Sequence, residues 1–512
     1  MAIDKAVLAL HSALLAKYGD AGLARIGKAL RGLVAADKRR GLATVVIHLD
    51  DGAEMAPYGG PIAAVADAKA VKDAIDRIAA AAQPHYLLLL GGPDVMPMMP
   101  LTNPAYSGPE GDSDRHVPSD LPYACDAPYS TNPNRFLGPT RVVGRLPDLI
   151  GAIKPTLLTQ LINAAARAKP RPRSDYQASF GLSAEAWAQS TALSLTNTFG
   201  HADNLLTSPP RGPRWTANQL APRVHFINCH GGDSVPEYYG QPPDKDEFPL
   251  AHHAKYLHGK VSAGTIVAAE CCYGAQLYDP ADAAGVKGIA LSYLEDGASG
   301  VFGSTTIAYG PCEGNGSADL ICQFFVQQVL GGSSLGRAAL EARQKFAGAR
   351  THLDPYDLKT LMQFYLLGDP SAQPVAVTAH SLTRGKAFRK AFASTQDRTV
   401  RNLRRERLER EGKHLGQVLP ALRPIDQGPG EKVAAALKAM TRETGLEGEL
   451  THLSFEITPP RRGRQAGPQR RVHIVKGRRT VHEAGASIVR VVALIATEED
   501  GQLLHVRRLH SR

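Results

Sequence analysis

The sequence predicts an α/β fold: a doubly wound, mostly parallel sheet with helices on both faces, followed by a small basic α+β C-terminal domain. Three observations predict it. Unbroken apolar runs such as "HYLLLLGG" (85–92) alternate with helical stretches through residues 41–376, the pattern of strands covered on both faces. The 512 residues exceed what one core usually supports. Charge is unevenly divided: residues 381–512 hold 27 Lys and Arg against 14 Asp and Glu, while the whole chain carries only +10.

Residues 1–40 read as an N-terminal helical segment, because "MAIDKAVLALHSALLAKYGD" has helical apolar spacing interrupted by charges. It lacks the continuous apolar stretch of a secretory signal, and no run of about 18 uncharged apolar residues occurs anywhere, so a cytoplasmic location without membrane contact is expected. The six cysteines are too sparse for a disulfide scaffold. "TVVIHLD" (44–50), a helix over 65–82 and "HYLLLLGG" give the parallel strand–helix–strand signature. A polar, Pro-rich stretch leads to a short strand in "TRVVGRLPD" (140–148). Further strands are expected in "SDYQASFGLSAE" (174–185), "RVHFINCHGGD" (223–233), "GTIVAAECCYG" (264–274), "SGVFGSTT" (299–306) and "FYLLGDPS" (364–371), with helices between them. Beyond 380 come a basic helix-prone segment (383–412), the helix "EKVAAALKAMTRE", an Arg-rich loop "PPRRGRQAGPQRR", and a hairpin turning at "EEDG".

Open parallel sheets bind ligands beyond the carboxyl ends of their strands. Two strands here end in reactive side chains: "VHFINCHGG" delivers His230 and Gly231, and "TIVAAECCYG" delivers Cys271 and Cys272. The interval from His230 to Cys272 suffices for a loop, a helix and a return to a neighbouring parallel strand. A thiol and an imidazole brought together make a nucleophile and its proton shuttle. The N–H groups of Gly231 and Cys272 could then serve as oxyanion donors, the glycine permitting close approach. Strand alternation means that Cys271 and Cys272 cannot both face the cleft.

Strand–His–Gly followed by strand–acid–x–Cys resembles the caspase-like clan of cysteine peptidases, which includes caspases, metacaspases, legumains and gingipains. "PHYLLLLGGPDVMP", "RVVGRLPD", "GVFGSTTIAYG", "SSLGRAALEA" and "FYLLGDPS" resemble gingipain motifs in the same order. The resemblance covers roughly residues 40–376. It implies a caspase-like fold, a Cys–His dyad and hydrolysis of a protein or peptide substrate without a cofactor. Metacaspase, legumain and caspase patterns select Cys272 as nucleophile, whereas gingipain spacing selects Cys271. Glu270 is similar to the acid of basic-specific S1 pockets and implies Arg or Lys before the scissile bond. Tyr309 matches the aromatic S1 wall of gingipains, and Glu185 the acid beside their histidine. The segment 233–248 is expected to form a lid at the cleft.

Other readings compete. Cys229, His230, His252, His253, Cys271 and Cys272 carry zinc-compatible atoms, but their spacing matches no zinc motif, so no metal site is expected. The basic C-terminal domain could bind nucleic acid or an acidic protein partner, or lie across the peptidase domain. A different class of function is a catalytically silent caspase-like scaffold.

Overall fold

A computed structural model of the chain describes residues 3–63, 67–108, 112–376, 398–443, 450–458, 469–483 and 486–512. Its centre is a ten-stranded sheet. The order is Thr44–His48, Lys5–Ala9, Tyr86–Leu90, Val143–Leu146, Tyr365–Gly368, Gly300–Gly303, Ile266–Ala269, Val224–Asn228, Ser179–Ala184 and Leu205–Ser208. Neighbours are parallel throughout each half. The halves meet at one antiparallel pair, Gly300–Gly303 against Tyr365–Gly368, so they point in opposite directions. The sheet is mostly parallel, as expected, but each half has its own carboxyl edge.

Period-2 alternation explains the unbroken apolar runs. Leu88, Leu90, Val267 and Ala269 enter a core beneath the helices His11–Arg39, Thr156–Arg167 and Ile289–Glu295. Leu87 and Leu89 enter an opposite core with the helix Ala68–Ala82, and Ile266 and Ala268 enter one with Ser317–Leu330 and Leu335–Gly348. No helix among the described residues is long and apolar enough to cross a membrane.

The N-terminal segment departs from expectation. Lys5–Ala9 is a strand inserted between Thr44–His48 and Tyr86–Leu90, and the helix starts only at His11. Because both faces of "KAVLA" are covered, the strand shows no polar alternation and merges with the helical pattern after it. Lys5 is fully buried, its Nζ 3.0 Å from Asp37, 2.6 Å from Asp369 and 3.1 Å from Ser371 Oγ. Lys5→Met would strand two buried carboxylates. The expected loss is about 3–5 kcal/mol in urea unfolding; a loss below about 1 kcal/mol would contradict this role.

The C-terminal region builds a second, antiparallel sheet from Ala421–Pro424, Thr451–Thr458, Arg470–Glu483, Ala486–Glu499 and Gln502–Ser511. Asp500 and Gly501, with φ of +48° and +80°, make the hairpin turn expected at "EEDG". The sixth strand, Tyr309–Gly310, comes from the first region. The helix Glu431–Glu443 packs Val433 and Leu437 on this sheet. The basic helix Arg398–Val418 instead lies on the first region. Arg401 reaches Asp4 and Gly41 O, Arg407 reaches Glu341, and Gly412 meets the backbone of Pro139. Residues 383–397 of the basic segment and most of "PPRRGRQAGPQRR" fall outside the described residues.

Candidate active site

The strands Val224–Asn228 and Ile266–Ala269 are adjacent and parallel, with Val224 opposite Ile266. Equal register brings their carboxyl ends to one edge, so Gly231 and Cys272 come together. A Cβ on Gly231 would lie 1.8 Å from the Cys272 carbonyl oxygen; only glycine fits this approach.

The two adjacent cysteines part company here. Cys271 continues the Val267–Ala269 face into the core beneath the sheet, with its Sγ 3.9 Å from Ile227 O. Cys272 leaves the strand and sits among Ala105, Ile307, Tyr309 and Tyr356. Its Sγ is 3.3 Å from the Ala308 N and 3.6 Å from the Ala308 O. The chain turns at Tyr273, whose φ of +52° is unusual for an aromatic residue. Its N–H donates to Thr306 O, and its hydroxyl donates to Asp114 at 2.8 Å, holding the turn.

His230 is fully buried between Trp187 and Phe248, with ring centroids 4.3 and 4.6 Å away. Its Nε2 lies 2.8 Å from Gln241 Oε1. The Gln241 amide nitrogen donates to Lys245 O at 3.2 Å, so the oxygen faces the histidine and Nε2 carries the proton. Nδ1 is left unprotonated and without a hydrogen-bond partner, the state of a base ready to accept. Burial, with Arg490 and Arg512 nearby, pushes the imidazole down to about 3. Burial likewise pushes the Cys272 thiol up to about 12, so both groups are uncharged here.

The cleft holds the chain's own residues 510–512. His510 and Ser511 pair antiparallel with Gly310 and Tyr309, and the Arg512 N–H donates to Ala308 O at 2.9 Å. The Arg512 main-chain oxygen accepts from the N–H groups of Cys272 (3.2 Å) and Gly231 (3.4 Å). Its guanidinium is fully buried. Nη2 lies 2.9 and 3.1 Å from the two Asp319 oxygens and 2.7 Å from Pro311 O, and the group stacks 4.4 Å from the Trp187 ring. A Cβ on Gly310 would be 2.3 Å from Nη2, so this glycine clears the space. An open groove of about 730 Å³, lined by Gln241, Cys312, Arg490 and His510 among others, runs beside the segment.

Asp319, in the first turn of Ser317–Leu330, is the carboxylate that meets the guanidinium. Ser190 Oγ and Asn228 Nδ2 also donate to it, at 2.8 and 3.3 Å. Glu270 is fully buried near Asp319, on the strand face of Ile266 and Ala268. Burial, then Asp319, hold the Glu270 carboxyl well above the usual range. A protonated Glu270 can donate to Asp319, whereas two carboxylates have nothing to share.

Two sequence-based assignments differ from this geometry. Tyr309 offers its backbone to Ser511, while its hydroxyl donates to Asp112 at 3.0 Å and its ring packs on Tyr356. The ring against the Arg512 guanidinium is that of Trp187. Glu185 is half-buried at the exit of Ser179–Ala184, and the hydrogen-bond partner of the His230 ring is Gln241 from the 233–248 loop. Asp319, Trp187, Ser190 and Gln241 carry no local motif. The one sequence signal was the rarity of tryptophan, two in the chain, with one at a strand exit. Among the described residues no group of three or more His, Cys, Asp or Glu forms a metal-ligating cluster. Instead, His252 meets Tyr293 at 2.7 Å and His253 meets Lys255 N–H at 3.1 Å.

The sequence matches no described protein family and none of the curated proteins compared with it. A solved structure described as "Structure of Protease" is similar with a TM-score of 0.46 and 14% identity, over 99% of this chain and 97% of that chain. A likeness this distant leaves function to be argued from the site.

Proposed function

We propose that this protein is a cysteine endopeptidase of caspase-like, gingipain-related fold that hydrolyses peptide bonds following arginine. Its peptidase domain spans residues 41–376 together with the N-terminal strand, and residues 381–512 form an accessory domain. One observation carries the reading. Arg512 lies in the cleft as a substrate residue would, its main-chain oxygen between two N–H donors and its side chain in an acidic, aromatic-walled pocket.

The chemistry follows from the groups around it. His230 takes the Cys272 proton at Nδ1, and Sγ attacks the carbonyl carbon of the bound arginine. The oxygen gains charge between the Gly231 and Cys272 N–H groups, already aimed at that position. Collapse breaks the C–N bond, the departing amine takes the proton from His230, and a thioester remains. Water then loses a proton to His230 and attacks the thioester; the arginine-ended acid leaves and the proton returns to Cys272. Gln241 holds His230 in the tautomer this sequence needs.

Selectivity for arginine over lysine follows from the pocket. A planar guanidinium stacks on Trp187 while its nitrogen meets Asp319, and an ammonium loses the stacking. Reporter peptides with Arg, Lys, Asn or Asp before the scissile bond test this. Arg is expected to exceed Lys by about tenfold in kcat/KM, with Asn and Asp at background. A preference for Asp would overturn the assignment.

A further inference from the structure

The occupant of the cleft is part of the protein, and it is held by more than a substrate site requires. The Gln502–Ser511 strand pairs with Ala486–Glu499 on one side and Tyr309–Gly310 on the other, so one antiparallel sheet runs from the accessory region into the cleft. The Ser511 Oγ accepts the Val491 N–H at 2.8 Å, fixing the strand just before Arg512. His230 is 0% exposed and Cys272 2%. A peptide entering the cleft would need the same two N–H groups, the same edge of Tyr309–Gly310 and the same Asp319 carboxylate. Both cannot bind at once.

Three cations fasten the accessory sheet around this edge. Arg507 pairs with Asp354 and, at 3.1 Å, with Asp357 at the start of the helix Pro355–Gln363. Lys476 donates to Ala105 O, and Arg490 pairs with Asp246 on the loop that carries Gln241. Arg507 thus ties the strand that ends in the cleft to the peptidase region only a few residues before it enters.

We propose that Leu509–Arg512 is an intramolecular, substrate-mimicking inhibitor, and that release of the accessory sheet from the peptidase region activates the enzyme. The proposal rests on the peptidase reading above and names its regulation. A tethered ligand meets its site at an effective concentration on the order of millimolar, so even a weakly binding tetrapeptide excludes dilute substrate.

The test uses the full chain and two readouts: the iodoacetamide alkylation rate of each cysteine by mass spectrometry, and hydrolysis of an arginine reporter peptide. Arg512→Ala and Arg512→Glu empty the pocket directly. Arg507→Met leaves the occupant intact and removes a fastening. In all three, Cys272 is expected to alkylate at least about tenfold faster than in the wild type, with Cys229 and Cys271 unchanged. The apparent KM is expected to fall by about the same factor with kcat retained, and free Leu-His-Ser-Arg peptide to inhibit Arg512→Ala competitively. Wild-type alkylation and hydrolysis rates in Arg512→Ala and Arg507→Met would overturn the inhibitor. Faster alkylation without hydrolysis of any reporter would instead overturn the peptidase reading and leave the occupancy standing.

Discussion

With the cleft opened by Arg512→Ala, Cys272→Ala is expected to lower kcat/KM toward arginine reporters by about 10⁴-fold or more, to background. The Cys272 backbone meets both the Gly231 approach and the main-chain oxygen of the bound arginine, and its Sγ sits against Ala308, whose carbonyl accepts the Arg512 N–H. Cys271→Ala in the same background is expected to keep activity within about threefold while losing about 1 kcal/mol of stability, because it deletes one buried sulfur from a core. Steady-state kinetics and urea unfolding of the pair separate the roles. A dead Cys271→Ala beside an active Cys272→Ala would move the nucleophile by one residue and place the cleft on the opposite face of the strand.

Asp319→Asn, again in the Arg512→Ala background, is expected to reduce kcat/KM for arginine reporters by about 10²-fold or more. A buried guanidinium that loses its counter-charge costs about 3–5 kcal/mol. The Arg512→Ala background matters, because in the wild type the inhibitory segment and the substrate would lose the same contact and the change would cancel. Glu270 adds a pH signature. Asp319 is among the causes that keep Glu270 protonated, so its removal lets Glu270 ionise more easily. Residual activity of Asp319→Asn should therefore rise with pH as Glu270 gains charge, and Asp319→Asn/Glu270→Gln should lose that rise. Wild-type kcat/KM in the double variant would remove both acids from arginine recognition.

Much of the sheet was legible because strand and helix periodicity are local. "HYLLLLGG", "VHFIN" and "TIVAA" are strands because their alternate residues enter two cores, and the string itself carries that pattern. Lys5–Ala9 was not legible as a strand: with both faces apolar and a helix following at once, nothing local marks the boundary. The antiparallel meeting of the two halves was equally invisible, since strand direction depends on chain path rather than on residue pattern.

The sequence by itself determined the α/β class, the basic C-terminal region and the two strands that end in His230–Gly231 and Cys271–Cys272. An apolar run and the reactive residues at its end are read from short-range information, whereas the adjacency and equal register of the two strands are set by the fold. Tertiary structure alone decided the rest. The arginine pocket is assembled from Trp187, Ser190, Gly310 and Asp319, on separate elements that converge only when helices pack on the sheet. Only folding brings Glu270 near Asp319, ties the Tyr309 hydroxyl to Asp112, and brings Arg512 across the molecule into the cleft. Charge pairing and pocket shape depend on distances between residues far apart in the chain, and periodicity carries no record of them.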